Sequence, residues 1–112
     1  MKEVRIAAET KTKAAAGAIA GLLREGYTLE VCAIGSKAIN QMVKGLTLAR
    51  EFMAEDGCEI YMFPEFRTVE YVNGEEGMGT AIKYIVTKGE PLNETWKEAD
   101  KETEAADQKM AP

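Results

Sequence analysis

Four lysines at two predicted helix starts are the residues best suited to chemistry in this chain: Lys11 and Lys13 at the first, Lys37 and Lys44 in the opening turns of the second. The chemistry they suit is contact with phosphate, because a helix N-terminus has free amides and partial positive charge that already favour anions. The second helix strengthens the point by its charge order. Lys37 and Lys44 come early and Glu51, Glu55 and Asp56 late, which opposes the helix dipole at about 0.3–1 kcal/mol per exposed charge. An anionic partner at the lysine end would recover that cost. By residue type alone, a solvated lysine set is the commoner explanation, since charged side chains are normally exposed. Catalysis fits poorly. The chain has no histidine and a single serine, Ser36, so the commonest general base, the commonest transition-metal ligand and most hydroxyl nucleophiles are missing. We therefore expect no enzyme activity, no catalytic residue, no metal site and no cofactor.

The elements that must position these lysines can be read from periodicity. Residues 2–8 alternate Val4 and Ile6 with Glu3 and Arg5, the pattern of a strand with one buried face. Thr10 and Thr12 are candidate caps for a helix over 13–25 with Ile19, Leu22 and Leu23 as core contacts, ended by Gly26. Gly17 and Gly21 inside it cost about 1 kcal/mol each relative to alanine, which predicts close packing there. Residues 27–35 alternate again. Ser36 is the predicted N-cap of a long helix ending at Gly57, with Ile39, Met42, Val43, Leu46 and Met53 on one face and Lys37, Gln41 and Lys44 opposite. Leu48 and Phe52 fall near the polar face, so another element or a second subunit should cover them, and they are the predicted dimer contact.

Residues 58–63 form a third strand that Pro64 interrupts as an edge or bulge position, and it resumes over 66–72. Asn73-Gly74 signals a hairpin with Glu75 and Glu76 at its tip, and residues 80–88 close the sheet. The order strand, helix, strand, helix, strand, strand predicts an α/β two-layer sandwich, a mixed four-stranded sheet with both helices on one face. The domain is assigned to residues 1–88 and an acidic tail, helical or unstructured, to 89–112. Residues 1–88 hold 11 Lys+Arg against 12 Asp+Glu and residues 89–112 hold 3 against 7, so the net charge of -5 comes mostly from the tail. Cys32 and Cys58 fall in strands and are expected as free thiols. No apolar run is long enough to span a membrane and residues 1–11 lack a secretory pattern, which predicts a cytoplasmic protein.

Other sites are weaker. Gly35-Ser36 before a helix is more often a simple cap than a nucleotide phosphate cradle, and Glu70, Glu75 and Glu76 are more often solvated than cation ligands. Tyr61, Phe63, Phe66 and Tyr71 suit base stacking, but alternating aromatics in a strand are more often core on one side and interface on the other.

The segments AGAIAGLLREG, EVCAIGSKAINQMVKGLTLAR, FPEF, NGEE and TAIKYIV resemble the stage V sporulation protein S family over residues 3–88. These are small bacterial proteins related in fold to the Alba chromatin proteins. The resemblance implies an Alba-like fold, homodimers or higher oligomers, and binding of DNA or RNA in a regulatory or chromatin-type role. It aligns Lys11 and Lys13 with the lysines after the first strand of Alba proteins, and Asn40, Gln41 and Lys44 with polar contacts at the start of their second helix. Lys37 adds charge where the sporulation family has a small residue. Two features depart from the pattern: Glu75-Glu76 is acidic where Alba proteins use a basic arm, and Gly77-Met78-Gly79 replaces a single arginine. The alternative function is a protein-interaction module on the same fold, using Leu48, Phe52 and the strand edge.

Overall fold

Alternation along each strand decides which side of the sheet is dry. The computed structural model describes residues 1–67 and 80–91. Its elements are β1 (Lys2–Arg5), α1 (Thr12–Arg24), β2 (Leu29–Ile34), α2 (Ser36–Glu55), β3 (Cys58–Phe66) and β4 (Ala81–Pro91). The strand order is β1-β2-β4-β3, with β1 and β2 parallel and the other pairs antiparallel. This is the expected mixed sheet and element order. Leu29, Val31 and Ala33 of β2, Val86 of β4 and Ile60 of β3 enter one core with Ile19 and Leu23 of α1 and Met42, Leu46 and Met53 of α2. Each large side chain removed from water there contributes roughly 1.5–3 kcal/mol. Beyond the register shift, the odd-numbered residues of β3 from Tyr61 and of β4 up to Thr87, with the even-numbered ones of β2, lie on the other face, which carries Glu30, Lys83, Glu65, Tyr61 and Phe63.

Several local expectations need correction. Gly35, at φ 87° and ψ 157°, is the N-cap of α2, and Ser36 is its first helical residue. Only glycine adopts that backbone readily, so the turn out of β2 needs no side-chain cap. Lys11 occupies the N-cap of α1 without a side-chain bond, while the Thr10 hydroxyl accepts from the Ala7 amide at 2.9 Å within the preceding loop. Gly17 and Gly21 face open space, and the close approach occurs at Gly45, where an added Cβ would stand 2.9 Å from the Ala15 Cβ. Val43 is 43% exposed and outside the core. Leu48 and Phe52 are partly buried against it, because α2 contacts α1 as well as β2 and β3 and so covers a wider sector than one stripe. Pro64 pairs opposite Tyr84 within an unbroken β3, and the register shift lies between Cys58 and Ile60. The closing strand runs to Pro91. The predicted strand residues beyond Arg67, the Asn73-Gly74 hairpin and the tail helix lie outside the described residues.

Candidate nucleic-acid interface

Because β1 and β2 are parallel and each leads into a helix, α1 and α2 start at the same end of the sheet. Gly45 brings the two helices together at Ala15, the tenth residue of α2 against the fourth of α1. At 1.5 Å per residue, the first turns of α2 therefore reach about 9 Å beyond the start of α1. The loop leading into α1 fills that step, where Gln41 Nε2 donates to the Thr10 carbonyl at 2.8 Å. Lys11 and Lys13 open α1, and Lys37 and Lys44 lie seven residues apart on α2, two turns along one face. All four lysines and Asn40 are exposed, whereas Gln41 is half-buried and holds the loop to the helix.

The ion pairs of the two helices lie toward their C-terminal ends. Neither helix has an acidic residue in its first turn, so their positive ends are unneutralised from within. At the far end, Arg24 Nε donates to Asp56 Oδ2 at 2.5 Å, a bond that raises the pKa of the guanidinium. Arg50 grips Glu59 with two bonds of 2.9 Å, which hold the Glu59 carboxyl below its ordinary value of 4.5. Lys83 pairs with Glu30 and Glu65 on the outer sheet face. Lys11, Lys13, Lys37 and Lys44 enter no ion pair among the described residues, and Glu9 on the adjoining loop pairs with none of them.

Beside this lysine edge is a cluster that local patterning did not single out. Glu3 Oε1 accepts from Arg5 Nε at 2.9 Å and from Arg67 Nη1 at 3.1 Å, and Arg67 Nη1 also lies 2.7 Å from Cys32 Sγ. Arg5 foremost holds the Glu3 carboxyl below its ordinary range, and burial pushes the Cys32 thiol up; Sγ accepts from Arg67 and donates to Glu3 Oε1 at 3.6 Å. Arg67 is placed by its backbone N–H, which donates to the Ala81 carbonyl at 3.0 Å, beside a residue that offers only a methyl group. Alternation in β1 marks Arg5 as outward-facing. Nothing near Arg67 in sequence marks it, because its neighbours come from β2 and β1.

Tyr61, Phe63 and Phe66 are exposed on β3, an edge strand, and Tyr71 lies outside the described residues. Among the described residues, Cys32 and Cys58 are free, no three potential ligands gather for a metal ion, and no helix is long and apolar enough to cross a membrane. Glu70, Glu75 and Glu76 lie outside them. A family model described as Stage V sporulation protein S (SpoVS) matches residues 2–89.

Proposed function

We propose, from the premise that this chain belongs to the stage V sporulation protein S family, that it is a cytoplasmic nucleic-acid-binding protein. In this reading it grips DNA or RNA by electrostatic contact, without catalysis, as a homodimer or higher oligomer in a regulatory or chromatin-type role connected with sporulation. One observation carries it. Lys11, Lys13, Lys37 and Lys44, at helix starts with no acidic residue in the first turn, enter no ion pair among the described residues, whereas Arg24, Arg50 and Lys83 are each held by a carboxylate. A phosphate backbone supplies the missing anion, with Asn40 alongside. The dimer contact in this reading uses the half-covered Leu48 and Phe52.

The test is fluorescence anisotropy with matched DNA and RNA oligomers across a salt series. Log affinity should fall with log salt by roughly 0.9 per engaged phosphate on duplex DNA, and each Lys→Gln change at the four positions should flatten the slope by about that amount. A flat salt dependence, or no binding to either polymer, refutes the reading. The protein-interaction module would then take its place. What favours that second reading is the exposure of Phe63 at 61% and Phe66 at 82% on the edge strand.

A further inference from the structure

A cleft of about 890 Å³ opens where β1 and β2 end and the chain turns towards the two helices. Its floor is apolar: Ile6, Ala33 and Ala38 are 5%, 3% and 5% exposed. Three cations line it, Arg5, Lys37 and Arg67, against one lining carboxylate, Glu9. Its volume falls within the ~300–1,000 Å³ range of sites that enclose small organic ligands. We infer that this cleft binds a small organic phosphate monoester of mononucleotide size. The phosphate group sits among the three cations and the organic part lies on the apolar floor.

The two arginines carry the argument. Glu3 holds both through a single oxygen, using Arg5 Nε and Arg67 Nη1. A guanidinium has five N–H donors, so most of the donors of both forks take no part in those bonds. One carboxylate thus sets two positive groups side by side and leaves an excess of positive charge. Each planar guanidinium fork can take two oxygens of a tetrahedral phosphate bidentately, and the number of donors exceeds what a two-oxygen carboxylate accepts. The first turn of α2 adds to this. Ile39 donates to the Gly35 carbonyl at 2.9 Å, and no side chain caps the helix, so the amides of Ser36, Lys37 and Ala38 have no helical acceptor. The inference goes beyond the nucleic-acid reading, since only Lys37 belongs to both surfaces.

The experiment titrates the full chain, labelled with ¹⁵N, with adenosine 5′-monophosphate, inorganic phosphate and adenosine. The expected result is saturable movement of the Ser36, Lys37 and Ala38 amides and the Arg5 and Arg67 Nε–H resonances. The nucleotide should bind more tightly than phosphate, and adenosine should leave these signals in place. Arg5→Gln and Arg67→Gln should each weaken nucleotide binding on the order of tenfold while oligonucleotide affinity is retained. Lys11→Gln with Lys13→Gln should do the reverse. Because Arg67 also braces the sheet face, far-UV circular dichroism accompanies both variants, and the highly exposed Arg5 provides the change least able to disturb folding. The inference is overturned if shifts fail to saturate at millimolar nucleotide, or if Lys11, Lys13 and Lys44 move as much as the cleft. Equal affinity for phosphate and nucleotide, or arginine variants that bind as the parent does, overturns it too.

Discussion

One substitution, glycine to alanine, should act with opposite sign at two positions. Gly17 in α1 is exposed with nothing within 4 Å of where a Cβ would stand, so alanine there gains helix propensity at no packing cost. That gain is roughly 0.5–1 kcal/mol. Gly45 in α2 is buried, and its Cβ would lie 2.9 Å from the Ala15 Cβ. Carbon atoms rest at about 3.5–4.0 Å, so the helices must separate by roughly 0.6 Å or more. Ala15 has no rotamer through which to yield, and the movement falls on the backbone. Overpacking of this kind costs about 1–3 kcal/mol, which outweighs the propensity gain and leaves Gly45→Ala about 1 kcal/mol less stable than the parent. Urea unfolding at constant m-value measures both variants. Ala15→Gly added to Gly45→Ala should restore the contact, giving a favourable coupling of about 1 kcal/mol. Equal stabilisation by alanine at both glycines, or additive behaviour of the Ala15 and Gly45 changes, would refute the helix contact that sets the two lysine pairs side by side.

Acid should weaken the fold through Glu59. Its folded carboxyl lies below the ordinary 4.5 because Arg50 bonds it, so its contribution is complete above pH 4.5 and is lost as pH falls through the lower folded value. Glu59→Gln should cost about 1 kcal/mol or less at pH 7 and flatten the fall of the urea midpoint below pH 4.5; an unchanged acid profile argues against the pairing. Deleting residues 92–112, most of the acidic stretch, should tighten oligonucleotide binding several-fold at low salt by removing like-charge repulsion, and weaker binding would contradict that. Leu48→Asp and Phe52→Asp should sediment as monomers with helical circular dichroism retained. An unchanged mass places the subunit contact elsewhere.

Periodicity made the architecture legible. The two-residue alternation of Val4 and Ile6, and of Leu29, Val31 and Ala33, marks strands, and the spacing of Met42, Leu46 and Met53 marks a helix. Lysines beside helix starts were equally visible, because parallel strands that each feed a helix must put both starts at one end. Features decided by what lies opposite in space were not. Gly17, Gly21 and Gly45 look alike in sequence, and only the partner helix shows which one lacks room for a methyl group. Val43 and Leu48 exchange their expected environments because α2 packs against two layers. Arg24 reaches Asp56 across 32 positions, and Arg67 reaches Glu3 across 64. No local pattern encodes either pairing.

The sheet ends in two unequal borders, four residues of β1 on one side and nine of β3 on the other. A nine-residue edge ladder with no further strand beside it among the described residues, carrying exposed Tyr61, Phe63 and Phe66, is the kind of template on which identical chains stack into cross-β fibrils. Pro64, which has no amide hydrogen to offer an incoming strand, and Glu65, which repels its own copy, break the apolar run between the two phenylalanines. Replacing both with valine should bring thioflavin-positive aggregates at concentrations where the parent stays clear, with little change in unfolding midpoint. A single ring and a single carboxylate thus guard the longer border of the sheet against recruiting further copies of itself.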